Sequence, residues 1–174
     1  MSISRQAKRV ADLLKRRQFK VVFAESCTGG LVSGALTQIP GISRFHCGGM
    51  VVYRSETKAQ WLGIPAEDLK RPGPVSQKVT KLLAEEILRR TPEASISLAV
   101  TGHLGPKAPK RLDGVVFFQI ALRKTDGTPE NVAGLLAQYA AAISRQERQR
   151  RAVEDALKVL GDFLETGFVV DEEP

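Results

Sequence analysis

Cysteine is scarce. Cys27 and Cys47 are the two present in 174 residues, too few for a disulfide framework. Histidine is equally scarce, and His46, Cys47 and His103 fall at none of the spacings used by zinc fingers or HExxH helices. No metal and no cofactor is expected. Aromatic residues make up 6% of the chain, and almost none lies among the basic runs, which argues against a stacking platform for single-stranded nucleic acid. No apolar run approaches the ~20 residues of a membrane helix. The basic opening MSISRQAKRVADLLKRRQFK lacks the continuous apolar stretch of a secretory signal. These absences set the expectations: a reducing, cytoplasmic setting, no membrane and no nucleic-acid partner.

The hydrophobic share of 43% and charged share of 26% are those of a globular protein, and 174 residues suffice for one domain with a proper core. The net charge of +7 is concentrated in residues 5–20 and 145–151, both in helical pattern. Solvated helix faces account for such runs, and a positive surface also favours a small anionic ligand.

Ile3, Ala7, Val10 and Leu14 form a helical stripe over 3–18. KVVFAE (20–25), GGMVVY (48–53), SISLAV (95–100) and GVVFFQIAL (114–122) read as strands, the last two as interior ones, with a looser strand over 131–138. Helices are expected over 30–38, 56–62, 77–90 behind an N-cap at Ser76, and 145–165. The alternation predicts a single three-layer α/β domain over 1–165: a mixed, mostly parallel sheet with helices on both faces, followed by a short acidic tail, 166–174.

In such folds ligands bind beyond the carboxyl ends of the strands, which draws the loops at 25–30, 53–58 and 101–113 together. The first, AESCTGG, admits three readings: a phosphate cradle using Gly29, Gly30 and the next helix's amides, a nucleophile loop in which Ser26 and Cys27 sit beside the Gly turn, or a strand-to-helix turn with a capping Thr28. Ser43, Tyr53 and Lys58 are a second candidate set, because a neutral lysine can take a serine proton while a third group orients it. Thr101 and Gly102 close a buried strand and face the same end.

AESCTGG (24–30), the PG-x-S turn (40–43), GGMVVY-x-S-x-x-K (48–58), GPVS (73–76) and VTG (100–102) occur in that order. The combination resembles the CinA C-terminal domain family, whose stand-alone members include nicotinamide mononucleotide deamidases, and the likeness covers residues 5–165. It implies an amidohydrolase that converts nicotinamide mononucleotide to nicotinate mononucleotide and ammonia, with a small nucleotide as its ligand and a homo-oligomeric assembly. A diverged relative that binds a nucleotide or protein is the alternative it leaves. On this resemblance the nucleophile is Ser43, and not Ser26 of ESCTGG, with Lys58 as base and Tyr53 in the proton path. Ser26, Thr28, Gly29, Gly30, Thr101, Gly102 and Arg145 then form the substrate pocket. The chain departs from the family where VTGHLGPKAPKRLDG (100–114) replaces a glycine-rich run, where I-S-R (143–145) replaces G-D-R, and where Gln149 replaces an arginine.

Overall fold

VVFAE, ISLAVTG and VVFFQIALR are apolar on both faces and become the three interior strands of a five-stranded sheet. The structure, a computed structural model, describes residues 2–167, so most of the expected acidic tail lies outside the described residues. In chain order the elements are α1 (Ile3–Arg17), β1 (Val21–Glu25), α2 (Leu31–Thr37), β2 (His46–Val51), α3 (Ser55–Leu62), α4 (Ala66–Lys70), α5 (Gln77–Arg89), β3 (Ile96–Gly102), β4 (Val115–Arg123), β5 (Pro129–Gln138) and α6 (Arg145–Thr166). Short 3₁₀ turns occupy Ile42–Arg44 and Lys110–Leu112.

The strand order is β2-β1-β3-β4-β5. β1 pairs in parallel with β2 and β3, whereas β3–β4 and β4–β5 are antiparallel. Four strands thus point one way and β4 the other. The sheet is mixed, as expected, but its pairings divide evenly, two parallel and two antiparallel.

Alternation along the strands builds two cores. Phe23, Leu98, Val100, Phe118 and Ile120 face α1, α2 and α6. Val22, Ala24, Ala99 and Ala121 face α5, meeting Val79, Leu83, Ala84 and Ile87. Small residues on the second face let α5 lie close, and Ser97 Oγ there donates to the Ala84 carbonyl at 2.6 Å. Ser76 caps α5 by accepting from the Val79 amide at 3.3 Å.

α2 covers one face and α3–α5 the other, so the chain leaves β1 in opposite senses on its two sides. The carboxyl ends of β1 and β3 therefore form the crevice at which doubly wound sheets bind ligands. No helix among the described residues is long and apolar enough to cross a membrane.

Candidate active site

β1 ends at Glu25, a buried carboxylate that turns back over the start of α2. It accepts from the amides of Gly30 (3.0 Å), Val32 (3.2 Å) and Ser33 (2.8 Å). Gly29 and Gly30 hold left-handed backbones, φ 64° and 93°, which lets the chain reverse within the loop. The phosphate-cradle reading of AESCTGG is thereby corrected: the side chain of Glu25 already takes the helix amides an anion would need. The amides of Cys27 and Thr28, by contrast, donate to no backbone carbonyl among the described residues.

Ser26, at the top of β1, is buried, and its amide continues the sheet to the Val100 carbonyl at 3.0 Å. Its hydroxyl meets Lys58, on the second turn of α3. Lys58 is 1% exposed. Its Nζ donates to Ser26 Oγ at 3.1 Å, to the Val52 carbonyl at 2.7 Å and to the Tyr53 carbonyl at 3.4 Å. Burial lowers its pKa from 10.5 to about 8. Once neutral, the amine retains two N–H bonds for the two carbonyls and turns its lone pair toward the serine hydroxyl. That is the geometry of a serine nucleophile with a lysine base. Cys27, next in sequence, cannot compete, since burial pushes its thiol up to about 12.

The Tyr53 ring is 55% exposed and stands at the mouth of the site, where Arg145 Nη2 donates to its hydroxyl at 2.8 Å. Arg145, first residue of α6, also donates to the Gly105 carbonyl. Ser144 caps α6 and accepts from the Glu147 amide at 3.1 Å. Ser26, Cys27, Tyr53, Lys58, Gly102, His103 and Arg145 all line one cavity of about 200 Å³. His103 reaches it from the end of β3; burial, with the Lys58 charge adding to it, holds its ring below the usual pKa.

The three loops converge as expected, but not every anticipated residue arrives. Ser43 does not. It lies exposed in the 3₁₀ turn that precedes β2, whereas Lys58 and Tyr53 follow β2. The strand between them separates the two ends by about 17 Å at ~3.3 Å per residue, so the Ser43–Lys58–Tyr53 grouping is corrected to Ser26–Lys58 with Tyr53 at the rim. Thr28, Gly29, Gly30 and Thr101, expected in the substrate pocket, do not line this cavity. Thr101 is fully buried and donates to the Pro74 carbonyl at 3.1 Å. Thr28 Oγ1 is buried with no hydrogen-bond partner among the described residues.

Two residues of α6 support the site, although no motif assigns them a role. Arg148 is buried and grips Asp113 with two hydrogen bonds, 2.7 and 3.0 Å, tethering the 103–113 loop to α6. Gln149 Nε2 donates to the Cys27 carbonyl at 3.0 Å and so steadies the Ser26 loop from the same helix. Their placement in the polar run RQERQRR makes both look like part of a solvated helix face. Among the described residues no group of three His, Cys, Asp or Glu side chains could hold a metal. His46 instead bonds Ser33 Oγ through Nε2 at 2.7 Å.

A family profile described as CinA C-terminal domain matches residues 3–164. A competence-damage inducible protein of Desulforudis audaxviator is 43% identical over 115 residues, 66% of this chain and 28% of that protein. The crystal structure of competence damage-inducible protein A from Klebsiella pneumoniae superposes with TM-score 0.85 at 27% identity, covering 95% of this chain and 99% of that one. That of the competence/damage inducible protein CihA from Agrobacterium tumefaciens gives 0.83 at 32% identity, covering 94% and 96%. The chain spans 28–37% of the length of the curated relatives it matches.

Proposed function

This chain belongs to the CinA C-terminal domain family, and from that footing we propose that it is an amidohydrolase, with Ser26 as nucleophile, Lys58 as general base and nicotinamide mononucleotide as substrate. The observation that carries the reading is the buried Ser26–Lys58 contact at 3.1 Å, with the lysine pKa lowered to about 8. A lysine placed only for structure has no need of a serine hydroxyl at its amine, and a buried one near neutrality is suited to exchange protons.

Ser26 Oγ attacks the carboxamide carbon and its proton passes to Lys58 Nζ. The tetrahedral oxyanion falls to the amide of Cys27, which lines the cavity, such a donor contributing about 3 kcal/mol in comparable sites. Lys58 then returns the proton to the departing nitrogen, the C–N bond breaks and ammonia leaves an acyl ester on Ser26. A water molecule, deprotonated by Lys58, cleaves the ester. The carboxylate product departs and the serine regains its proton. Water is the sole co-reactant. The exposed Tyr53 ring offers a flat apolar face to an aromatic amide, and Arg145 holds that ring while presenting positive charge to a phosphorylated substrate.

The test is ammonia release from nicotinamide mononucleotide by the purified protein. Turnover that Ser26→Ala and Lys58→Ala each abolish supports the assignment. Tight binding of the nucleotide without turnover by the wild type would overturn it in favour of a diverged binding protein.

A further inference from the structure

Behind the small cavity lies a larger basin of about 620 Å³, bounded by Leu104, Lys107, Lys110, Ile143, Arg145 and Arg148. The two spaces adjoin, sharing the segment 104–108 and Arg145 in their linings, so a ligand with its amide at Ser26 and its far end in the basin would lie across Arg145. Its one carboxylate, Asp113, is bound bidentately by Arg148 and neutralised. Among the described residues Lys107, Lys110 and Arg145 have no carboxylate partner. The basin thus presents three uncompensated cations and no free negative charge. Lys107 also keeps a left-handed backbone, φ 67°, a strained choice for a side chain bearing a Cβ and one that tends to persist where it is used.

A basin of this volume matches a ligand of many atoms, not one phosphate. Negative charge spread over two phosphoryl groups meets more of these separated cations at once than charge confined to one. We infer that the basin is an anion subsite which extends the substrate range to pyridine-carboxamide nucleotides bearing a diphosphate, with Lys107 and Lys110 as its specificity-determining residues. For the amide end this rests on the amidohydrolase reading; the anion binding does not.

Two measurements decide it. In steady-state amide hydrolysis, the wild type should show a lower KM for NAD, in which the mononucleotide is joined to AMP through a diphosphate, than for nicotinamide mononucleotide. Lys107→Ala/Lys110→Ala should raise the NAD KM by at least about tenfold, the change expected for loss of even one charge-assisted contact, with kcat retained and the mononucleotide KM moved less. Equal KM values for the two substrates, or a double variant matching the wild type on NAD, would overturn the inference. Titration calorimetry with inorganic pyrophosphate reads the subsite without turnover. Binding that weakens in the double variant and with added salt supports it, and binding equal in both proteins overturns it. If no amide is hydrolysed at all, the amidohydrolase reading fails alone, and the pyrophosphate titration still decides the anion subsite. Both lysines are exposed and unpaired, so the variant should keep the wild-type melting temperature.

Discussion

Lys58 Nζ lies 3.1 Å from Ser26 Oγ, although 32 residues separate the two in the chain. Ser43, much nearer to Lys58 in sequence, sits before β2 at the opposite end of the sheet. The parallel β1–β2 pair explains both facts. Its crossover through α2 brings the carboxyl ends of the two strands together and carries the 3₁₀ turn away.

The two serines should therefore separate cleanly in an assay. Ser26→Ala is expected to lower kcat by at least about 10⁴-fold, as removal of a nucleophile does elsewhere. Ser43→Ala should leave ammonia release within about twofold of wild type, since substitutions at exposed positions away from a site are nearly neutral. Loss of turnover in Ser43→Ala, with Ser26→Ala active, would reverse the assignment.

Activity should follow the neutral form of Lys58. With its pKa near 8, kcat/KM is expected to rise through pH 7 to 8 and level off above, as a single ionisation. A profile flat between pH 6.5 and 9 would exclude Lys58 as the base.

The same lysine sets a stability trend. Its pKa is 10.5 ordinarily and about 8 in the fold, so between those values the unfolded chain binds more protons than the native one. Stability then rises with pH across that window. Below pH 8 both states are protonated and the penalty is fully present, about 3 kcal/mol at the full difference. Lys58→Met lacks this term. The melting temperature of the wild type relative to Lys58→Met should thus climb from pH 8 to pH 10, and a constant difference would contradict it.

Glu25 is expected to matter for the fold as well as for the loop. Glu25→Ala leaves the Gly30, Val32 and Ser33 amides without their acceptor and should cost about 2 kcal/mol. Glu25→Gln, which keeps the shape and an acceptor oxygen, should lose less. Urea denaturation of the two variants measures the difference, and equal losses would show that the carboxylate is not the cap.

Gly114 closes the 103–113 loop. Its amide donates to the His103 carbonyl at 2.8 Å, its φ is 75°, and a Cβ there would collide with the Tyr139 carbonyl. Gly114→Ala should destabilise by about 2 kcal/mol and raise the KM for any amide substrate, because the turn that places His103 and Leu104 must move. Thermal unfolding and steady-state kinetics on one preparation test both halves.

The sequence alone was enough for most of the elements and for their layering. Period-2 and helical-period patterns reflect burial along a single segment, which is why β1, β3, β4, α1, α5 and α6 were legible within a few residues. α4 was missed, since five residues behind Pro65 look like part of a Pro- and Gly-rich loop. β2 was read two residues late because Val52 and Tyr53 are as β-prone as the strand they follow. The gathering of Tyr53, Lys58 and Gly102 at the carboxyl end of the sheet was likewise readable from strand direction, whereas Arg145 was implied only by the family resemblance. The choice of serine was not. Contact between residues in different segments depends on strand order and crossover sense, and a strand of six residues is long enough to put near neighbours in sequence at opposite ends of the molecule. Nor could spacing show that Glu25 would fold back onto the α2 amides, or that Arg148 would turn inward to Asp113. Those partners are set by which buried polar groups need satisfying once the chain is packed, and that need exists only in three dimensions.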